Sequence, residues 1–520
     1  MTHRRTGSSC LRAPGFGLFK NRKSEQNAAR KLNRSDAKPK AVVGDKAMMI
    51  IYGVIPPQFT IQPCKFLQDS VTLDSSSSST MALPQNILIV GGGVFGLSTA
   101  LSLSSRHPSS KITLLEASPT IPNPHGSSVD ASRIVRADYA DAAYAKLAIA
   151  AINRWRNTDW GRDGRYTQNG LLLVFPEGNS NARNYARKSY ENVKKLGDKV
   201  EYLPTKADVH RVAPAFDKDL RVDGGYVNWA SGWSNAEASV RYAKKRLDEE
   251  GKVVFKTGEV EQILFEQLSS PKATGVLLKD GTTLTADLII LATGAWTPKL
   301  VDLRGLAVST GQAIAFIRIS DEEQNRLANM PTILNFATGI FIIPPRNNLL
   351  KIARHAYGYH NPKTVPVPGP TSQQGTTMEV SLPETGVPIP PEGEEAMRVA
   401  LKELLPSFAD RPFVETRVCW YTDTPKGDFI VTYHPNHPNL FLATGGSGHA
   451  FKFFPVIGDK VVDALEGKLD PELKKMWAWP ESKVDPNFLA TEDGSRSGVK
   501  GLRLLDELAK GKKASRSSVL

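Results

Sequence analysis

The chain has 520 residues, more than one hydrophobic core ordinarily organises, so we expect two domains and additional terminal segments. Its 40% hydrophobic and 23% charged residues are typical of globular proteins, and its net charge of +13 is concentrated in residues 1–80, which hold 13 Lys/Arg against 5 Asp/Glu. The remaining sequence has no RNA-binding aromatic motif and no apolar run long enough to span a membrane, which argues against both kinds of partner.

Residues 1–80 form a basic, Ser-rich extension that ends in the run Ser75–Ser79 and has no helical or strand period. We expect it to be disordered. Its basic character is compatible with a mitochondrial transit peptide, although no clear amphipathic helix is present; an upstream extension with Met81 as the working start is the equal alternative.

The three cysteines, Cys10, Cys64 and Cys419, lack the C-x-x-C spacing of metal or dithiol sites. We therefore expect no metal and a reducing compartment.

From residue 86 the pattern predicts alternating strands and helices. An apolar strand at 87–90 is followed by a glycine turn, a helix to about residue 105 and a second strand at 112–116, together a parallel crossover unit. Further elements of this kind are predicted at 235–250, 253–255, 286–291, 440–443 and 454–465.

The intervening segments are strand-rich with Pro-rich loops, so the fold class we predict is α/β, with one domain threaded through the other. The first is a discontinuous Rossmann-like domain, and the second is an inserted α+β substrate domain built on a mixed or antiparallel sheet. The predicted boundaries are 84–165, 231–300 and 415–480 for the first, 166–230 and 301–414 for the second, and 481–520 for a polar tail.

The segment Gly91–Gly96 carries the pattern G-x-G-x-x-G between a predicted strand and a predicted helix, the context that makes the pattern indicative of dinucleotide binding. Gly91 permits the turn, Gly93 lets the backbone approach a pyrophosphate, and Gly96 lets the helix pack on the strand. Val94 and Phe95 begin the helix, whose N-terminus attracts phosphate. Glu116 follows at the end of the second strand, where a carboxylate accepts from ribose hydroxyls.

NAD and FAD share this fingerprint, and two further glycine clusters favour FAD. Thr293-Gly294 and Gly445–Gly448 each follow a predicted strand, and open α/β sheets bind ligands at the carboxyl ends of their strands. A long cofactor such as FAD needs backbone contacts at both of its ends, so we predict that the discontinuous Rossmann-like domain is an FAD-binding domain.

With these motifs the sequence resembles the D-amino-acid-oxidase-type flavoenzymes, in the branch of monomeric sarcosine oxidase, pipecolate and saccharopine oxidases and fructosyl amino acid oxidases. The resemblance covers about residues 86–470. In that branch FAD is commonly attached through a cysteine, and the segment from Arg417 to Pro425 resembles the attachment segment, with Cys419 at the matching position. Thioether formation needs a thiolate, which Arg417 would favour.

The resemblance also implies roles for several basic residues. Arg133, in the block from Ser132 to Tyr139, would lie near the flavin face, and Arg136 near the pyrophosphate or ring edge. Lys351 would activate oxygen and His355 would face the same cavity, four residues further along an extended strand. The remaining expected cofactor contacts are Ser132, Val260, Gly446, Gly448, His449 and Lys452.

Lys452 would bind the substrate carboxylate. The segment Gly448-His449-Ala450-Phe451-Lys452 resembles the family's Gly-His-Gly-Phe-Lys, and Ala450 replaces the second glycine. We therefore expect the backbone before Lys452 to differ slightly from that of the family.

The implied activity is oxidation of a secondary amine, as an N-substituted or cyclic amino acid, to an imine with O2 reduced to hydrogen peroxide. The alternatives are a fructosyl amino acid oxidase, a flavin dehydrogenase, a biosynthetic amine oxidase acting on a larger metabolite, and a non-catalytic nucleotide-binding protein. We expect the protein to be a monomer. We place it in the peroxisome or the cytoplasm, because Ser518-Val519-Leu520 is a degenerate form of the peroxisomal tripeptide.

Overall fold

The computed structural model describes residues 83–217, 220–266, 271–370, 375–481, 483–485 and 490–517. The predicted disorder of the N-terminal extension and the C-terminal tripeptide both lie outside these residues.

The described strands are short and spread along the whole range. They are β1 Asn86–Val90, β2 Lys111–Glu116, β3 Arg133–Val135, β4 Tyr166–Thr167, β5 Leu171–Pro176, β6 Val200–Leu203, β7 Val222–Asn228, β8 Gly232–Ser234, β9 Val253–Thr257, β10 Val260–Phe265, β11 Ala273–Leu278, β12 Thr283–Thr285, β13 Leu288–Leu291, β14 Val308–Arg318, β15 Thr332–Leu334, β16 Ile340–Arg346, β17 Leu349–Arg354, β18 Tyr359–His360, β19 Pro362–Pro366, β20 Thr377–Ser381, β21 Phe413–Asp423, β22 Ile430–His434, β23 His437–Thr444 and β24 Leu502–Arg503.

The described α-helices lie between them. They are α1 Val94–Arg106, α2 Ala142–Asn157, α3 Ser180–Lys195, α4 Lys206–Val212, α5 Ala236–Glu250, α6 Thr297–Leu300, α7 Asp321–Leu327, α8 Pro391–Leu404, α9 Phe454–Leu465, α10 Pro471–Met476 and α11 Leu504–Ser517.

A six-stranded sheet in the order β22-β23-β13-β1-β2-β9 gathers strands from distant parts of the chain. All neighbours in it pair in parallel except β22 and β23, which pair antiparallel. Because parallel strands are covered on both faces, β1 is apolar at four consecutive positions, Ile87 to Val90, all of them at most 4% exposed.

The two faces of this sheet pack on different partners. Ile87 and Ile89 face a helical layer that includes Leu97 of α1, whereas Leu88 and Val90 face the small antiparallel sheet β10-β11-β12. The period of two along a strand therefore divides β1 between two hydrophobic clusters. This sandwich places the carboxyl ends of β1, β2, β13 and β23 along one edge.

A ten-stranded mixed sheet forms the second layer of the molecule, in the order β24-β18-β14-β17-β16-β15-β5-β7-β6, with β21 paired to β14. Its pairs are antiparallel except β5 with β15 and β18 with β24. The predicted α/β class, with a parallel dinucleotide-type sheet and a second mixed sheet, is confirmed.

Two segments contribute to the second sheet from outside the ranges predicted for the substrate domain. Most of β21, from residue 415 onward, lies in the range 415–480 but pairs along β14, and β24 lies in the range 481–520. Residues 495–497 of the latter range are buried. Composition alone had suggested only a polar tail there, since buried Ser and Arg carry no periodic hydrophobic signal.

None of the described helices combines the length and the apolarity that crossing a membrane requires.

Candidate active site and cofactor cavity

The turn after β1 leaves no room for side chains. Gly91 has φ +108°, and a Cβ there would lie 2.4 Å from the carbonyl oxygen of Ala292. A Cβ on Gly96 would lie 1.8 Å from the carbonyl oxygen of Gly91. These two glycines are therefore required by close backbone approach, and they aim the N-terminus of α1 at the edge of the sheet.

Glu116 ties the turns at this edge together. Its carboxylate accepts from the Gly92 N–H at 2.7 Å, the Ser118 N–H at 3.0 Å and the Asn123 side chain at 2.9 Å. A carboxylate offers about four acceptor positions. Glu116 thus holds the loops around the predicted ribose position and keeps little acceptor capacity beyond that task.

Two adjoining cavities open along the same edge. One has a volume of about 510 Å³ and is lined by Gly91, Glu116 and Val260 among others; the second has about 90 Å³ and is lined by Phe95, Arg133 and Gly446 among others. The lining residues common to both are Gly93, Ser127, Ser128, Ala292 and Gly294.

The three glycine turns converge on these cavities. Thr293 and Gly294 line the larger one, and Gly448 and His449 line the smaller one. A Cβ on Gly446 would lie 3.5 Å from the Phe95 ring at the start of α1, although the two residues are 351 positions apart in sequence. One elongated ligand can therefore contact all three turns.

Beyond the smaller cavity lies a buried cluster of charge around Asp130. Lys351 Nζ donates to the Asp130 carboxylate at 2.7 Å and to the Ser132 carbonyl at 2.8 Å. Arg133 forms an ion pair with the same carboxylate, and its other terminal nitrogen lies 3.3 Å from Cys419 Sγ. The structure thus brings together four residues predicted from three separate motifs, Ser132, Arg133, Lys351 and Cys419.

Asp130 itself was missed by the sequence reasoning. It lies just before the block that begins at Ser132, and an aspartate three residues from an arginine has no distinctive pattern. Burial opposes its charge, but Arg133 and Lys351 outweigh that effect and lower the pKa of Asp130 well below the ordinary value.

Lys351 is 3% exposed, and its protonation follows from the balance in this cluster. Burial is the main cause that lowers its pKa from 10.5 to about 8; Arg133 lowers it further, while Asp130 opposes the shift. The lysine therefore remains mainly cationic at neutral pH and titrates just above it. Two of its three N–H groups are engaged by Asp130 and Ser132.

Lys452 belongs to a second buried network. Its Nζ donates to the Tyr139 hydroxyl and to the His449 carbonyl, both at 2.8 Å. The Tyr139 hydroxyl lies 2.9 Å from His449 Nδ1, and His449 Nε2 lies 2.7 Å from the Gly427 carbonyl. Because a carbonyl only accepts, Nε2 carries the proton and Nδ1 accepts from Tyr139.

Arg136 faces this network. Its guanidinium lies 4.7 Å from the centre of the Tyr139 ring, and one terminal nitrogen, Nη1, is buried without a hydrogen-bond partner. It is not among the residues lining the two cavities, so its predicted place near the pyrophosphate or ring edge stays a prediction. Burial and Arg136 both lower the pKa of Lys452 well below the ordinary lysine value.

Asp138 partly compensates these cations. Its buried carboxylate accepts from the Tyr226 hydroxyl at 3.0 Å, from the Asn228 amide and from Ser231 Oγ at 2.7 Å. It raises the pKa of both Arg136 and Lys452 through its charge. The site is nevertheless rich in cations and in unfilled N–H groups, a combination suited to an anionic ligand group.

His355 lies immediately after β17, on the side of the ten-stranded sheet that carries Tyr421, whose ring centre is 5.9 Å away. Burial, with the nearby Arg496, lowers the pKa of His355 well below 6.5. Its Nε2 lies 3.4 Å from Ser495 Oγ, and its Nδ1 lies 3.4 Å from Arg496 Nη1. No sequence signal indicated that this segment reaches the site.

Within the described residues, no group of three or more His, Cys, Asp or Glu side chains is arranged to hold a metal ion.

Comparison with known proteins agrees with this geometry. The profile of the family "FAD dependent oxidoreductase" matches residues 86–464. The amino acid oxidase imqH of Aspergillus flavus is 34% identical over 473 residues, covering 77% of this chain and 98% of its own length. The L-saccharopine oxidase of Schizosaccharomyces pombe is 32% identical over 423 residues, with coverages of 77% and 94%.

Among solved structures, a modified fructosyl peptide oxidase from Aspergillus nidulans superposes with a TM-score of 0.73 at 28% identity. The match covers 81% of this chain and 98% of that one.

Proposed function

Because the chain belongs to the family of FAD-dependent oxidoreductases, we propose that it oxidises the C–N bond of a secondary amine that carries a carboxylate, such as an N-substituted or cyclic amino acid. The observation that carries this proposal is the pairing of a three-turn dinucleotide cavity with two adjacent buried cation clusters, around Lys351 and around Lys452.

The residues at the sheet edge fit FAD. Gly91, Gly93 and the N-terminus of α1 would hold the pyrophosphate, Glu116 and Val260 would line the adenosine end, and Gly446 would lie against the flavin end. When bound, FAD would accept two electrons from the amine and pass them to O2. The amine would thereby be oxidised to an imine, and O2 would be reduced to hydrogen peroxide.

On the substrate side, we assign the carboxylate to Lys452 and Arg136. Lys452 keeps one N–H beyond its bonds to Tyr139 and His449, and Arg136 has a buried Nη1 with no partner. Charge-assisted hydrogen bonds from these groups would orient the amine.

The same cations favour the reactive form of the substrate. An amine with a pKa near 10.4 must lose its proton before its lone pair can assist oxidation, which costs about 4 to 5 kcal/mol at neutral pH. Repulsion from buried Arg136 and Lys452 disfavours a nearby ammonium and offsets part of that cost.

On the oxygen side, we assign Lys351. One-electron reduction of O2 develops negative charge, and a fixed buried ammonium stabilises it. Asp130 and the Ser132 carbonyl hold the lysine in place, which leaves its third N–H for the cofactor side. This arrangement favours an oxidase over a dehydrogenase that uses a carrier protein.

We further propose that FAD is attached covalently through Cys419. The Arg133 guanidinium, 3.3 Å from its sulfur, would stabilise the thiolate that the thioether requires. Precipitation of the purified protein with acid tests this: the wild-type pellet should stay yellow and the Cys419→Ser pellet should be colourless. Colour in the supernatant of both proteins would refute covalent attachment and leave FAD binding intact.

A substrate panel tests the reaction. Hydrogen peroxide release should occur with N-methyl, cyclic or N-carboxyalkyl amino acids, and should fall sharply for the corresponding esters. Release only with fructosyl amino acids would favour the deglycating alternative, for which the similarity to fructosyl peptide oxidase is the supporting observation. Flavin reduction without peroxide would indicate a dehydrogenase. We also propose a monomer, which light scattering of the purified protein would test.

A further inference from the structure

The segment 490–498 reaches the candidate active site from the C-terminal part of the chain. It is held by hydrogen bonds to the loop after β21: Thr491 Oγ1 donates to the Thr424 carbonyl at 2.9 Å, and the Glu492 N–H donates to the Pro425 carbonyl at 2.7 Å. Further on, the Ser497 carbonyl accepts from the Tyr357 N–H at 2.9 Å. The segment therefore bridges the ends of β17 and β21, the strands that carry Lys351 and Cys419.

Arg496 is the centre of this bridge, and its side chain is 1% exposed. One terminal nitrogen, Nη2, pairs with the Asp423 carboxylate and donates to the Ser447 carbonyl at 3.0 Å. The other, Nη1, donates to the Ala356 carbonyl at 3.2 Å and lies 3.4 Å from His355 Nδ1. Arg496 thus joins the glycine turn after β23 to the end of β17.

These contacts define the protonation of the His355 ring. A guanidinium has only donors, so Nδ1 of His355 must present its lone pair to Arg496. The ring proton then lies on Nε2, which is 3.4 Å from Ser495 Oγ. Protonation of Nδ1 would bring two donors and two positive charges together in a buried site.

The surroundings of His355 offer little to stabilise an imidazolium. Tyr421 of β21 contributes its ring face, and Asp423 is already paired with Arg496. Asp493 accepts from Ser495 Oγ at 2.6 Å, which leaves the Ser495 oxygen as the acceptor for the Nε2 proton of His355. The other charged or titratable groups that act on His355 all disfavour its cation: Arg496, Arg136, His449 and Lys452.

We infer that Arg496 is a positioning residue that holds His355 as a neutral imidazole with its proton on Nε2. This assignment rests on the proposed amine oxidation for its functional meaning. It gives His355 the role of a fixed neutral group beside the substrate amine, in place of a base that takes the amine's proton. A neutral ring also adds no repulsive charge near Lys351.

Histidine-selective ¹⁵N NMR of the flavin-loaded protein tests the inference without reference to turnover. The His355 signal is identified by its loss in His355→Gln. We expect the wild-type ring to stay neutral, with its proton on Nε2, from about pH 5 to pH 9. A proton on Nδ1, or a titration near the ordinary histidine value of about 6.5, would overturn the proposal.

The double variant Asp423→Asn/Arg496→Gln removes the cation without leaving a buried carboxylate unpaired. In it, His355 Nδ1 loses its fixed donor, so part of the population should carry the ring proton on Nδ1, while burial, the main cause of the low pKa, still disfavours the imidazolium. The matched control Asp423→Asn keeps Arg496 and should keep the His355 proton on Nε2. If every His355 ring keeps its proton on Nε2 in a double variant that retains wild-type flavin content, the proposal fails; the wild-type tautomer measurement decides the matter if the double variant does not fold.

The pH profile of kcat/KM adds a functional readout. The double variant should shift any acidic inflection that His355 causes to a higher pH, because one of the cations that lower its pKa is gone, and adding His355→Gln should remove that inflection. An inflection that persists without His355 would contradict the assignment. Absence of any amine turnover would instead count against the proposed function, while the NMR result would stand by itself.

Discussion

The cofactor side of this site consists mainly of backbone groups, whereas the amine side consists mainly of charged side chains. At the sheet edge, backbone makes the site: Gly91, Gly93 and Gly96 matter because they lack side chains, and the N-terminus of α1 supplies N–H groups. Around Lys351 and Lys452, side chains make the site, and buried charges balance one another across five separate segments of the chain.

This difference determines how each side should respond to substitution. Where backbone groups form the site, a side chain added at a closely packed glycine should exclude the cofactor by steric overlap. Where charged side chains form the site, a substitution that removes one charge should leave the fold and the cofactor in place and slow a single catalytic step.

The largest effect is expected at Gly96. A Cβ there would lie 1.8 Å from the Gly91 carbonyl oxygen, so Gly96→Ala must displace α1 from β1. We expect loss of bound flavin and a drop in the free energy of unfolding of about 3 kcal/mol. Visible absorbance and thermal unfolding measure both.

Gly251→Ala is the matched control for Gly96→Ala. Gly251 has φ +65° with no atom within 4 Å of an added Cβ, so alanine there should cost about 1 kcal/mol and leave flavin content unchanged. Equal flavin loss in both variants would contradict the steric account.

The next effect is expected at Lys351. Lys351→Met should slow reoxidation of the reduced protein by O2 by about 10²- to 10³-fold, because the fixed cation is lost while the Asp130 ion pair with Arg133 remains. Stopped-flow mixing with O2 measures this step, and anaerobic reduction by the amine should change far less. If reduction slows and reoxidation does not, the assignment of Lys351 is wrong.

A smaller effect is expected at Lys452. Lys452→Met should raise KM for carboxylate substrates by about 10- to 100-fold, the loss of one charge-assisted hydrogen bond. Esters of the same substrates lack the anion and should bind the variant and the wild type almost alike. If KM rises equally for acids and esters, Lys452 does not bind the substrate carboxylate and its role is structural.

The last and most gradual effect is expected in the pH dependence of reoxidation. Burial lowers the pKa of Lys351 to about 8, so its cation is present below that pH and is lost as the pH rises through it. The rate of reoxidation should therefore fall above about pH 8, and Lys351→Arg, which stays charged, should show no such fall. A wild-type rate that is flat to pH 10 would contradict this reading.

The same contrast explains what the sequence could predict. The Gly91–Gly96 turn can be predicted from the sequence because its residues are consecutive and close backbone approach requires glycine at both ends. The α/β class followed from apolar strands such as Ile87–Val90, whose continuous burial is typical of parallel sheets.

Members of the charge network could be predicted only where their segments resemble motifs of the family. Lys351 and Cys419 came from motifs, but Asp130, the counterion of Lys351, and the buried Arg496 did not, because an isolated charged residue has no period and no spacing signal. Pairing across 73 positions, as between Asp423 and Arg496, exists only once the chain is folded.

The most direct test of the account is an anaerobic titration of the purified, yellow protein with a secondary amino acid, followed in the visible spectrum. We predict that the flavin absorbance bleaches in proportion to the amine added and returns on admission of O2 with one hydrogen peroxide per flavin. A colourless protein, or a flavin that bleaches with NADPH and with none of the amines, would contradict it.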